Sequence, residues 1–440
     1  MKATVANWGN YPRVEAELKT FSNEKRLHEI FNETDELIAR GLGRCYGDSS
    51  LGRNIATPVG FDRIIAFDEK SGSVTCEAGI SLGDLLEIFV PRGWFLPVTP
   101  GTKFVTLGGA IAADVHGKNH HKAGNISRHV ASMELMLADG SVAACSPDEN
   151  EELFHATSGG MGLTGVILRA TLTLKKIESA YIRQETVKAK NLEELMELFE
   201  ASSDFTYSVA WVDCLAKGRD EIGRSVLIRG EHAAAGEHRK KGNPLSPPKK
   251  LTLDVPFNMP GFLLNRYTVG GFNSVYYGMA GDRKTTIVDY DSFFYPLDRI
   301  HNWNRIYGRK GFLQYQFVLP KETSGDGIKR ILKKTGEKGL GSFLAVLKLM
   351  GPEAGLISFP MEGYTLALDF PVTRSLFGFL EELDEIVLGN GGRLYLAKDA
   401  RMDAAMFKKS YKNSERFIEY KQSVDKSGRF KSLQSARLGI

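Results

Sequence analysis

Cysteine is scarce in this chain. Four residues, Cys45, Cys76, Cys145 and Cys214, are scattered through 440 positions, and no two form a Cys-x-x-Cys pair. That spacing excludes a disulfide framework and a cysteine-rich zinc site, and it suits a reducing compartment. Long hydrophobic runs are absent too, so no membrane-spanning helix is expected. The first residues lack the apolar core of a signal peptide. The expected location is therefore the cytoplasm or the inner face of a membrane. Charge of one sign is also lacking: the net charge is +4, too small to indicate nucleic acid as a partner. What remains is the composition of a soluble globular protein, 42% hydrophobic and 25% charged, with a length that points to two domains.

What is present is glycine, 46 residues of it, much of it clustered. Residues 40–48 read Arg-Gly-Leu-Gly-Arg-Cys-Tyr-Gly-Asp. Residues 100–117 hold Pro-Gly-Thr, Thr-Leu-Gly-Gly-Ala and Asp-Val-His-Gly. Residues 158–165 read Ser-Gly-Gly-Met-Gly-Leu-Thr-Gly. Glycine lets a backbone approach a ligand closely. Arginine forks and exposed backbone N–H groups make an anion cradle. Two such loops in one half of the chain suggest a large, phosphate-bearing cofactor. The first loop is not a dinucleotide fingerprint of the βαβ type, because Tyr46 stands where the third glycine is needed.

Apolar spacing predicts a helix over residues 23–33 with Ser22 or Asn23 as cap. A second helix follows Ser81, with Leu82, Leu85 and Leu86 buried, and a third follows Asn191, paired with Glu194. Strands are predicted at residues 37–39, 74–78, 133–137, 166–174, 207–212, 312–318, 343–347, 365–370 and 394–397. The first half alternates strands and helices, whereas the second is dominated by strands. The expected fold is α+β, with a unit over 1–178 to which 393–440 return. A second unit, over 179–392, is expected as an antiparallel sheet with flanking helices. A mobile basic loop is expected near 231–285, including Lys240, Lys241, Lys249 and Lys250.

Three histidines, His116, His120 and His121, invite a metal reading. Glycine and lysine intervene and no helix is expected there, so no metal is predicted. Strand alternation puts Gln314 and Gln316 on one face, suited to a wall that hydrogen-bonds hydroxyls. Lys348 and Lys398 each interrupt an apolar run. A desolvated lysine serves as acid, base or anion ligand.

These segments resemble the FAD-binding fold of the vanillyl-alcohol-oxidase and para-cresol-methylhydroxylase type. Within it, the His-Gly-Lys-Asn-His-His run at 116–121, the Phe-Leu-Gln-Tyr-Gln-Phe run at 312–317 and Arg-Leu-Tyr-Leu-Ala-Lys-Asp at 393–399 are similar to the decaprenylphosphoryl-β-D-ribose 2′-oxidase family. The resemblance implies FAD-dependent oxidation of the 2′-hydroxyl of a polyprenylphosphoryl ribose, the first half of an epimerisation in cell-wall arabinan synthesis. An NAD(P)H-dependent keto-sugar reductase would be the partner, and the basic loop and tail would make the peripheral membrane contact.

The resemblance also implies roles for particular residues. Arg40, Gly41, Leu42, Gly43, Arg44, Cys45, Tyr46, Gly47 and Asp48 would hold the FAD pyrophosphate. Gly101, Thr106, Gly108, Gly109, Ala113, Asp114, His116, Gly117, Ile167 and Tyr395 would line the rest of the cofactor. Tyr46, Lys118, Trp211, Gln314, Gln316, Lys348 and Lys398 would surround the substrate. Lys398, His116, Lys348 and Tyr395 form the catalytic set, with Lys398 helping the hydroxyl lose its proton. Arg44 stands where aldonolactone and alditol oxidases carry a histidine bonded to flavin, so FAD is expected to be non-covalent. Val209, Phe294, Met350 and Ala367 depart from the family pattern (usually serine, tyrosine, phenylalanine and cysteine). They are expected around the substrate. Two alternatives stand beside this reading: oxidation of a soluble sugar, sugar lactone or nucleotide sugar, and a non-catalytic flavin-binding subunit.

Overall fold

The protein is described by a computed structural model covering residues 1–440 apart from 219, 238–241, 249, 353 and 354. Lys240, Lys241 and Lys249 of the expected basic cluster lie outside the described residues. The fold is α+β. Strand Lys2–Ala6 pairs antiparallel with Arg13–Phe21, and Asn54–Pro58 and Ile38–Ala39 extend that sheet in parallel. A five-stranded antiparallel sheet follows in the order Ile64–Asp68, Ser73–Glu77, Val166–Thr173, Val130–Met136, Val142–Cys145. The first glycine loop follows the edge strand Ile38–Ala39, and the third leads into the central strand Val166–Thr173.

An eight-stranded antiparallel sheet forms the other large layer. Its order is Arg283–Asp289, Tyr181–Ala189, Ser225–His232, Tyr207–Val212, Val346–Met350, Gly363–Pro371, Phe312–Pro320 and Arg393–Leu394. Helices Leu192–Glu200, Lys321–Lys338 and Arg374–Gly389 pack on one face of it. They bury Leu195, Ile328, Ile331, Leu383 and Val387 against Phe317, Leu366 and Leu368. The other face is free to line a site. Register places Trp211 opposite Val346, Val346 opposite Ala367, and Ala367 opposite Gln316. One row of side chains thus crosses four strands on that face.

The predicted helices form where their caps stand. Asn23 accepts from the Arg26 N–H, Ser81 and Asp84 make a reciprocal capping box, and Asn191 accepts from the Glu194 N–H. The Glu194 carboxylate turns instead to the Lys190 N–H, so that pair is not reciprocal. The helices expected to flank the sheet include Lys321–Lys338, which contains Gly325 and Gly327, and Arg374–Gly389. Gly327 is there because a Cβ would come within 2.3 Å of the Leu319 side chain. The strand expected at 343–347 lies at Val346–Met350, which centres Lys348 in it.

Residues 231–285 also differ from the expected loop. They contain strand Leu253–Asp254 and helix Arg266–Met279, the latter started by a capping box between Asn265 and Thr268. Lys250 is held by Asp289 and Ser292. The basic tail is partly internal. The Arg429 guanidinium donates to the carbonyls of Phe31 and Thr34, closing the first helix. Arg437 pairs with Asp48 at 2.7 Å and with Asp399 at 2.9 Å. Among the described residues no helix is long and apolar enough to cross a membrane.

Candidate active site

A single cavity of about 820 Å³ runs between the glycine loops and the open face of the eight-stranded sheet. That is near the upper end of small-molecule and cofactor sites. Its cofactor-side wall is backbone. The N–H of Arg40 bonds Ala56 and that of Tyr46 bonds Ala397, which fixes both ends of the first loop. Between them, the N–H groups of residues 41–44 meet no protein acceptor among the described residues. Gly43 takes φ +63°, a conformation glycine adopts without strain. A Cβ on Gly41 would come within 2.3 Å of the Thr106 hydroxyl, so the two loops touch only because this residue is glycine. A Cβ on Gly101 would meet nothing within 4 Å.

Arg40 is tied to Asn7 and to the Ala6 carbonyl. The Arg44 guanidinium lies 4.1 Å over the Trp8 ring, and its buried Nε has no partner. Free loop amides beside a buried cation fit an anionic, phosphate-bearing cofactor such as FAD. Thr106 caps the following short helix through the Gly109 N–H, and the Gly108 N–H bonds Ala78. Leu42, Cys45, Ala113 and Ile167 complete this side.

Three predicted cofactor residues do not reach the cavity. Gly47 packs its Cα against the Asp399 carbonyl, where a Cβ would sit 1.6 Å away. Asp48 faces Arg437. Asp114 is fully buried and accepts from Asn125, Ser127 and Ser358. All three brace the loops from behind.

The sheet-side wall is built of side chains. Gln314 donates to Asp369 at 2.7 Å, and the Tyr307 hydroxyl approaches the same carboxylate at 3.4 Å. Gln316 donates from its amide to Thr365 and, at 3.3 Å, to Nε2 of His116. An amide N–H is only a donor, so His116 Nε2 accepts and its proton sits on Nδ1, which has no partner. Burial, with Lys348, His120 and Lys398 around it, holds His116 well below the usual histidine range. The ring is neutral at physiological pH. It packs against Tyr395, whose hydroxyl donates to the Ala113 carbonyl. His120 and His121 turn away, toward Asn125 and Gly351 and toward Phe205. A short helix, His120–Ala123, forms where none was expected. Among the described residues no cluster of histidine, cysteine and carboxylate is arranged to hold a metal.

Three lysines enter this half of the cavity. The Lys398 nitrogen stands 3.6 Å over the Tyr46 ring. Burial pushes it down to about 7, against the opposing pull of Asp369. Burial also pushes Lys118 to about 7, helped by Lys348, and Lys348 to about 8. Trp211 is fixed by a bond from its indole N–H to the Phe343 carbonyl and lies against Tyr276. Of the four departures, Val209, Phe294 and Ala367 line the cavity. Met350 does not: it lies in the core beneath.

Sequence reasoning missed Asp369. Burial raises its carboxyl to about 7, opposed by the Gln314 bond and by Lys398. A carboxylate interrupting the apolar run of residues 366–370 was the available signal.

The match to known proteins follows this geometry. Residues 25–146 match the model of an FAD-binding domain. The chain is 38% identical to decaprenylphosphoryl-β-D-ribose oxidase of Mycolicibacterium smegmatis, over 98% of this chain and 96% of that protein. It belongs to the decaprenylphosphoryl-β-D-ribose oxidase family. An uncharacterised Streptomyces coelicolor protein is 34% identical over its full length and 82% of this chain. The Delta(24)-sterol reductase of Mus musculus is 31% identical over only 32% of this chain. As a decaprenylphosphoryl-β-D-ribose oxidase family member, the chain is an FAD-binding oxidoreductase. The short match to the sterol reductase covers little of the chain, whereas the family match covers the glycine loops and the lysine-lined wall alike.

Proposed function

We propose that the protein oxidises the 2′-hydroxyl of a polyprenylphosphoryl ribose to the 2-keto sugar, with FAD held non-covalently. The observation that carries this reading is the pairing of two different walls: a backbone cradle for a phosphate-bearing cofactor, and a facing row of glutamines and lysines. In this reading residues 1–178 and 393–440 hold the cofactor, and residues 179–392 supply the substrate wall. The loop of residues 39–49 would hold the pyrophosphate, with Arg44 over Trp8 in place of a flavin-linking histidine.

Bound FAD supplies the two-electron acceptor for breaking the carbon–hydrogen bond. Lys398 takes the hydroxyl proton, because an amine pushed down to about 7 is substantially neutral at physiological pH. The nearby Asp369 charge raises that amine's basicity. Gln316 orients the neutral His116 at the cavity wall, and Gln314 is held by Asp369 for contact with sugar hydroxyls. Lys118 and Lys348 recover charge when a phosphate enters beside them. Tyr395, tied to Ala113, supports His116 rather than moving a proton.

The product is a ketone, so the next enzyme is an NAD(P)H-dependent keto-sugar reductase. Anaerobic mixing with a prenylphosphoryl ribose should bleach the flavin absorbance, and an unchanged spectrum overturns the reading. Acid precipitation should leave the flavin in the supernatant. The hydrophobic Val209, Phe294 and Ala367 in the wall favour a second reading, a different sugar substrate. Faster bleaching by a lipid-free sugar would select it.

A further inference from the structure

Helix Arg266–Met279 is inside out. It buries Val269 and the polar Asn273, which donates to Asp213 at 2.7 Å. It shows solvent Tyr267 (73% exposed), Val275 (60%) and Met279 (83%), spaced one or two turns apart along one face. The segment leading into it adds Phe257 and Phe262, both mostly exposed. Residues 255–281 contain no aspartate or glutamate, and Arg266 is their one basic residue. Lys284 stands exposed on the adjoining strand.

We propose that this face seats on the surface of a lipid bilayer, with the helix lying in the interfacial plane. A contiguous exposed apolar patch marks an interaction site. A helix of 14 residues is too short to span a bilayer but suited to lie along one. Residues 255–281 themselves carry no carboxylate, and the exposed Arg266, Arg283 and Lys284 outnumber Asp254 and Asp282 at the rim, a net positive edge that matches an anionic headgroup layer. The position matches as well. Tyr276, on the inner side of the same helix, lines the cavity with Trp211. The helix therefore separates the sugar-side wall from the exposed apolar face. A cavity shared by a dinucleotide cofactor and a sugar has no room for a long prenyl chain, which stays in the bilayer while the headgroup enters beneath the helix. This last step rests on the polyprenyl-phosphate reading; the contact with lipid does not.

The test uses the full-length, FAD-loaded protein in flotation with phosphatidylcholine vesicles, with and without phosphatidylglycerol, and no substrate. The protein should float, more strongly with phosphatidylglycerol. The combined variant Phe262→Ser, Val275→Ser, Met279→Ser should float on the order of tenfold less or weaker still. Its FAD content, melting temperature and flavin bleaching by a short-chain, water-soluble prenylphosphoryl ribose should be unchanged. Wild-type protein that stays unbound with both vesicle types overturns the proposal. So does a variant that floats like wild type, or a wild-type dimer that the variant turns to monomer without any flotation, which would assign the face to a second copy. If flotation succeeds and bleaching fails, the substrate reading falls and the lipid contact stands.

Discussion

The two walls of the cavity are made by different means. The cofactor side is largely main chain: glycines at 41, 43, 101, 108 and 109 line it, and the N–H groups of residues 41–44 are left without a protein acceptor among the described residues. It comes from two short continuous stretches. The substrate side is side chains from four strands and a following turn, brought together by register. Where that wall packs on other backbone, as Gly108 does on Ala78, an added atom finds nothing to rotate aside. A side-chain wall can lose a group and keep its shape. The first wall therefore sets whether the cofactor stays, and the second sets what reacts.

The sharpest way to break this division is Gly47→Ala. The new Cβ would overlap the Asp399 carbonyl at 1.6 Å, and both partners are backbone. The first loop must shift, and the turn that carries Lys398 must shift with it. The variant should purify without flavin and melt several degrees lower, a loss of about 1–3 kcal/mol or more. Retained flavin with a wild-type melting curve would show that the loop is more compliant than its packing indicates.

The contrast also explains what the sequence disclosed. The glycine loops were legible because close backbone approach leaves its mark on contiguous residues. The facing of Gln314 and Gln316 followed from strand alternation. Asp369 was hidden because its partner Gln314 lies 55 residues away and only antiparallel pairing brings them together. Gly47, Asp48 and Asp114 carry the same residue types as the true lining but turn their backs to it, toward Asp399, Arg437 and Ser358. Composition does not distinguish the two sides of a loop. Helix Arg266–Met279 escaped because its apolar positions face outward, so the stripe does not predict a buried face.

On the side-chain wall, Lys398→Ala should keep FAD bound and slow flavin reduction about a hundredfold or more, ~2.7 kcal/mol in the barrier. The wild-type rate should rise with pH through about 7 and level off above it. The amine acts as base only when neutral, and its folded-state value is about 7. A rate that falls across that range would assign Lys398 a purely cationic role.

Asp369→Asn should have the smaller effect, and it separates positioning from structure. The carboxylate raises the Lys398 value, so removing its charge should move the rise in rate to lower pH, with the limiting rate down about tenfold. Gln314 keeps a partner in the asparagine oxygen, so the wall should hold its shape and KM should change little. The measurement is single-turnover flavin reduction from pH 5.5 to 9, a range that spans the value of about 7 for both groups. An unchanged inflection would mean that Asp369 only packs against Gln314 and Tyr307. A shift upward would mean that in wild type the carboxyl is protonated when the lysine titrates, and that the asparagine amide opposes the ammonium more than the acid did.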